Sequence, residues 1–134
     1  MEESIRIRGL ENGDRPFIYS SMLKGLYYGD SWFSRVDKNA FMNAYAKVIS
    51  RMLDSSHVVV RVACLPDDPA VILGYALLSG NSILHWVYVK KDWRKKFGIA
   101  KLLVPHPVSV ATHLNSEGAK YAELKGIKFN PFMI

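Results

Sequence analysis

The sequence predicts one α/β (α+β) domain, built as a mixed, mostly antiparallel central sheet with helices flanking it. Near residue 57 the spacing of apolar residues changes from a helical repeat to β-rich runs. Three such runs then follow one another across short turn clusters, which implies an antiparallel meander. Helical segments stand on both sides of that meander, so the predicted order is β-α-α-β-β-β-α-β-α-(β). With 134 residues, 49% of them hydrophobic, the chain can bury about two thirds of its unfolded surface, enough for one core. Residues 1–134 are therefore read as a single domain.

Residues 4–9 (SIRIRG) alternate as a half-buried strand does. ENGD then breaks the pattern, with Asp14 expected as a helix cap and Pro16 in the first turn. A helix over 15–28 follows, its apolar positions Ile18, Met22 and Leu26 recurring every four residues until Gly29 and Asp30 interrupt it. Asp37 caps the clearest helix, whose apolar face is predicted from Phe41, Ala44, Tyr45, Val48, Ile49, Met52 and Leu53. HVVVRVAC, AVILGYALL and SILHWVYV are the meander strands, separated by LPDDP and SGN. Gly98 to Val104 reads as a short helix closed by Pro105 and Pro107. A strand over Val108–Thr112, a helix over 116–125 and the stretch GIKFNPFMI complete the chain.

Charge is distributed unevenly. Of the net +6, residues 1–89 contribute nothing, with nine Lys/Arg against nine Asp/Glu, whereas residues 90–134 carry nine against three. Lys90, Lys91, Arg94, Lys95 and Lys96 are opposed locally only by Asp92, a field that attracts phosphates or, read plainly, a solvated basic loop. The start MEESIRIRGL has no basic opening followed by an apolar run, and no stretch has the roughly 20 apolar residues of a membrane span. The lone Cys64 lies in an apolar run and has no disulfide partner within the chain. A cytoplasmic protein without membrane contact is the expectation. His57, His106 and His113 show no metal-ligand spacing with one another or with Cys64, so no metal is expected.

The most informative segment is VYVKKDWRKKFGIAKLL, where a strand passes through a basic, glycine-containing loop into a helix. Unpaired N–H groups and the helix dipole favour an anion there, and Gly98 permits close backbone approach. Neither GxxxxGK[ST] nor GxGxxG is present.

Lys95-Lys96-Phe97-Gly98-Ile99-Ala100 resembles the [QR]-x-x-G-x-[GA] loop of the GCN5-related N-acetyltransferase (GNAT) family. Val89 resembles the valine that ends the family's fourth strand, Trp93-Arg94 its aromatic-arginine pair, and Asn115, eleven residues before Gly126-Ile127, its N-x(10)-G-F pattern. The resemblance covers nearly the whole chain. It implies a GNAT-like fold with acetyl-CoA as co-substrate, bound through Val87, Val89, Arg94, Lys95, Lys96, Phe97, Gly98, Ile99, Ala100 and Asn115. One extra residue between Val89 and Gly98 leaves Arg94 and Lys95 both as candidates for the phosphates. The segment from Gly98 to Asn115 is about half the usual length, and the stretch after Gly126 has room for one closing strand where the family has two.

In such enzymes a base frees the acceptor amine, the amine attacks the thioester, and a tyrosine of the last helix protonates the thiolate. The Asn115 register puts Ala122 at that tyrosine's place, with Tyr121 beside it and Tyr88 as the next candidate acid. Trp86 stands where the family often has a strand carboxylate. His85 is the only imidazole nearby, and strict alternation would place it on a face with Val87 and Val89, opposite Trp86 and Tyr88. Tyr27, Tyr28, Trp32 and Phe33, between the first two helices, suit either an acceptor pocket wall or a hydrophobic cap.

The resemblance implies an acyltransferase moving acetyl from acetyl-CoA to an unidentified amine acceptor. Two alternatives remain: a catalytically inactive GNAT-like interaction module, and a nucleic-acid-directed, base-modifying relative whose basic loop tracks a phosphate backbone. A closing strand short, the sheet is expected to leave its 108–112 edge open to a homodimer or protein partner, with the C-terminal segment taking part.

Overall fold

The computed structural model describes residues 5–29, 33–80, 82–94, 98–114 and 116–133. A six-stranded sheet runs in the order β1 (Arg6–Arg8), β2 (Val58–Leu65), β3 (Asp68–Ser79), β4 (Ile83–Val89), β5 (Val110–Ala111) and β6 (Lys128–Phe129). The first four strands are antiparallel, whereas β4–β5 and β5–β6 are parallel. Among the described residues four α-helices accompany it: α1 (Arg15–Gly29), α2 (Lys38–Asp54), α3 (Ile99–Leu103) and α4 (Ser116–Lys125). This mixed, mostly antiparallel sheet with flanking helices is the arrangement expected from the sequence.

Strand alternation gives the sheet two apolar faces, and each face has its own core. On one, Val60, Val62, Tyr75, Leu77 and Trp86 pack with Ile18, Met22 and Leu26 of α1 and Phe41, Ile49, Met52 and Leu53 of α2. On the other, Ala63, Leu73, Ala76 and Leu78 pack with Ile99 and Leu103 of α3, flanked by Leu84, Val87, Val89 and Trp93. α1 approaches β4 closely at Gly25, where an added Cβ would come within 2.8 Å of the Trp86 ring. Ala44, expected on the buried face of α2, is exposed instead, because the apolar stripe runs along Phe41, Ile49 and Met52.

The two expected caps behave differently. Asp37 accepts from the Ala40 N–H at 3.0 Å and caps α2. Asp14 does not cap α1: it ends a 3-10 turn, accepts the Glu11 N–H at 2.8 Å, and forms a bidentate pair with Arg8 at 2.7 and 2.9 Å. The carboxylate thus ties the end of β1 to the start of α1.

The expectation of an open 108–112 edge is overturned. β5 comprises only Val110 and Ala111, and β6 lies along its outer side, with Lys128 N–H donating to Ser109 O and Asn130 N–H to Ala111 O, each at 2.9 Å. Gly126, at φ +69°, reverses the chain after α4 and so delivers β6 to that position. A single short strand in parallel register suffices to cover the edge.

Candidate functional site

β4 and β5 form a fork. Their pairing is confined to Ile83↔Val110 and Leu84↔Ala111, and the last bond across it is Thr112 N–H to Leu84 O at 3.0 Å. Beyond that point β4 continues to Val89 while the other chain turns away toward α4. A parallel strand that stops pairing leaves its N–H and C=O groups on that side available to an extended ligand. Val87 and Val89 pack toward α3, and Tyr88 toward Tyr75 and Phe17, as alternation requires.

At the open end of the fork, the turn after β4 carries the basic cluster. Arg94 donates from Nε to Val89 O at 2.7 Å, and its guanidinium lies 5.8 Å from the Tyr88 ring centroid. Lys90 Nζ stands 5.2 Å from the Phe17 ring centroid. Gly98 immediately precedes α3 with φ +61° and ψ 32°, a left-handed conformation that a residue with a Cβ adopts at a cost. Among the described residues, its chain neighbours aside, no atom lies within 4 Å of where its Cβ would be, so the backbone angle is what calls for glycine. Ile99 is buried in the second core and Ala100 is exposed, so the first turn of α3 presents one side to that core and the other to solvent. Lys95, Lys96, Phe97 and Asn115 lie outside the described residues.

At the closed end of the fork the sequence expectation for His85 is corrected. Between Leu77↔Trp86 and Leu78↔Leu84, β3 advances one residue and β4 two, so His85 is the extra residue of a β-bulge. The bulge turns its side chain to the face of Leu77 and Ser79, not to that of Val87 and Val89. There His85 Nε2 lies 2.7 Å from Ser79 Oγ and Nδ1 lies 2.9 Å from Thr112 Oγ1. Thr112 Oγ1 is in turn 2.9 Å from His113 Nδ1, and Tyr45 of α2 stands edge-on to the His113 ring at 5.8 Å. Sequence reasoning missed this chain because Ser79, His85, Thr112 and His113 come together only through the bulge and the fork. The visible signal was the polar pair Thr112-His113 closing an otherwise apolar strand.

Burial lowers the pKa of His85, and burial first, then the neighbouring His85 ring, lower that of His113 to about 4 against the opposing effect of a contact between the His113 ring and the His85 backbone. Both imidazoles are therefore neutral near pH 7, each with one N–H donor and one acceptor. With both ring nitrogens engaged and only 1% of its surface exposed, His85 is not placed to take a proton from a substrate.

Among the remaining candidates, Tyr121 lies in α4 beside Ala122, which is buried at 4%. Its side chain falls outside the described residues. Tyr27 and Phe33 pack against Phe41, and Phe41 stacks on Tyr45, so these rings serve the first core as a cap. Tyr28 is exposed under Lys38 Nζ, and Trp32 is outside the described residues. Among the described residues no group of three or more His, Cys, Asp or Glu side chains could hold a metal ion, and no helix is long and apolar enough to cross a membrane.

No family model and no curated protein matches the sequence. The fold, however, matches many solved structures. A Pyrococcus furiosus protein described as an acetyl transferase superposes with a TM-score of 0.67 at 12% identity, covering 95% of both chains. An aminoglycoside N-acetyltransferase in complex with CoA superposes with a TM-score of 0.56 at 15% identity, covering 96% of this chain and 90% of the other. A ribosomal-protein-alanine N-acetyltransferase from Brucella melitensis gives 0.52 at 17% identity, covering 90% of each. The chain thus has the fold of the GCN5-related N-acetyltransferases.

Proposed function

We propose that the protein is an acyltransferase that moves an acetyl group from acetyl-CoA to an amine of an unidentified acceptor. The observation that supports it best is the β4–β5 fork, whose open end meets the basic turn and Gly98 while its closed end meets polar side chains from both strands. Proteins of the same fold solved with CoA lend the reading its ligand. In this reading the pyrophosphate is held by the amides of 96–100, with Arg94 and Lys95 as its cations and Asn115 as a further contact to the cofactor. The pantetheine arm runs along Val87 and Val89 toward His85. Tyr121, or failing it Tyr88, protonates the departing thiolate.

A second reading, a CoA-binding interaction module without turnover, is favoured by two positions. Trp86, where a carboxylate often stands, is buried in the first core, and Ala122, where a tyrosine often stands, is buried as well. Calorimetry with acetyl-CoA, followed by a turnover assay against an amine panel, separates the two. Binding without turnover selects the module, and absence of binding defeats both. A nucleic-acid partner would reveal itself by affinity that falls steeply with salt.

A further inference from the structure

We propose that His113 is a further catalytic residue of this reaction, its neutral Nε2–H donating to the thioester carbonyl of bound acetyl-CoA and stabilising the oxyanion that forms there. Thr112, His85 and Ser79 act as positioning residues that hold the donating tautomer. The proposal rests on the reading of the fork as an acetyl-CoA site.

Its first support is an unexplained atom. His113 is 5% exposed, yet its Nε2 is buried with no hydrogen-bond partner among the described residues. Leaving a buried polar nitrogen unpaired costs about 1–3 kcal/mol; Arg8 Nε and Trp86 Nε1 are left so as well, and it is the position at the fork that marks His113 Nε2 for a ligand. The second support is location. His113 directly follows the last bond that holds β4 to β5, and it meets Tyr45 at the end of the ring series Tyr27, Phe41, Tyr45. It therefore stands where the fork closes and where the α1 and α2 side approaches. From Val89 back to His85 the strand covers about 13 Å at roughly 3.3 Å per residue, a reach suited to an extended pantetheine arm whose phosphates lie at the basic turn.

The third support is chemical. The chain Ser79, His85, Thr112, His113 can run in two directions. Running from Ser79, each group donates to the next: Ser79 O–H to His85 Nε2, His85 Nδ1–H to Thr112 Oγ1, Thr112 O–H to His113 Nδ1. This leaves a proton on His113 Nε2. The opposite direction leaves a lone pair there, useful only if the ring takes up a proton to become imidazolium, which burial opposes. A neutral imidazole that resists protonation is a poor base and a suitable donor.

The step balances without further reagents. The free amine's lone pair attacks the carbonyl carbon, and the C=O pair moves onto oxygen under the Nε2–H bond. The carbonyl then re-forms, the C–S bond breaks, and the proton lost by nitrogen ends on the CoA sulfur. His113 keeps its proton throughout.

Calorimetry and difference infrared spectroscopy, using acetyl-CoA with an isotope-labelled carbonyl, test the proposal on the full chain. The bound carbonyl band should lie below its position in solution for the wild type. It should return toward that position in His113→Phe, with affinity for CoA itself unchanged. Thr112→Val, which removes the hydroxyl that fixes the tautomer, should lose part of the shift, and Thr112→Ser should restore it. Where turnover is measurable, His113→Phe should lower kcat by about 100-fold, the usual loss for one oxyanion donor, with a much smaller rise in KM for acetyl-CoA from the lost ground-state hydrogen bond. If His113→Phe does not fold, His113→Gln and the Thr112 pair carry the test. A band equally shifted in wild type and variants overturns the role of His113 while leaving the acetyl-CoA site standing. A wild type that does not bind acetyl-CoA overturns the site and this role together.

Discussion

Arg61 of β2 donates from Nε to Leu103 O and from Nη2 to Leu102 O, both at 3.0 Å, and so holds the C-terminal end of α3 against the sheet. A helix of five residues has little stability of its own, and most of its carbonyls lack a helical partner. The guanidinium supplies two donors to those carbonyls and favourable charge at the negative end of the dipole. The orientation of the turn after Gly98 therefore depends on a residue across the sheet. Arg61→Met keeps the alkyl stem and removes both donors, at about 1 kcal/mol each. Urea unfolding should show a loss of about 1–2 kcal/mol, and calorimetry a CoA affinity lowered by roughly tenfold or less.

Replacing Gly98 by Val places a β-branched residue at φ +61°. The left-handed conformation costs roughly 1–2 kcal/mol for a residue with a Cβ, and the turn should shift to relieve it. Binding of acetyl-CoA should be abolished while thermal unfolding remains cooperative. Unchanged affinity would remove 96–100 from the phosphate site.

Arg94→Ala and Lys95→Ala should each weaken CoA binding by roughly 1 kcal/mol, the scale of one partly exposed charge-assisted contact. The losses should be unequal. Arg94 is held at Val89 O and over Tyr88, so its removal should also loosen the end of β4. Normal binding by both variants would assign the basic turn to another partner.

If amine acetylation is found, Tyr121→Phe should lower turnover by about 100-fold or more with binding intact, as expected for loss of a general acid. Full activity in that variant would shift attention to Tyr88→Phe.

Stability should decline in acid in two stages. The folded pKa of His113, about 4, lies below its ordinary value of 6.5, so between those values the unfolded chain binds the extra proton and stability rises with pH. The contribution is full above pH 6.5 and lost as pH falls toward 4; at pH 5 the loss is about 2 kcal/mol. Asp14 adds a second stage. Burial alone would raise its pKa, but the Arg8 pair and the Glu11 N–H hold it below the ordinary 3.8, so its contribution is present above that value and disappears below it. Urea melts from pH 7 to pH 3 read both stages. His113→Phe should shrink the first, leaving the part due to buried His85, and Asp14→Asn, which strands the buried Arg8 charge, should cost about 3–5 kcal/mol at neutral pH.

The fold was legible because local patterns and tertiary packing agree. The stripes Ile18, Met22, Leu26 and Phe41, Ile49, Met52 are the surfaces that α1 and α2 bury, and the apolar runs of the meander are the strands that separate the two cores. The order of elements and the basic turn before Gly98 follow from spacing, charge and turn residues, all of which are properties of neighbours along the chain.

What lay beyond the sequence depends on register between distant segments. One extra residue in β4 turned His85 from the face expected by alternation to the opposite one, because a bulge costs one ladder position and leaves no mark in the apolar pattern. The Ser79, His85, Thr112, His113 chain exists only because that bulge meets the end of β5. Likewise, whether the 108–112 edge stayed open was decided by where Gly126 sends the last strand, and β6 closes it. Periodicity determines which residues are buried; only the packed sheet decides which buried polar groups meet.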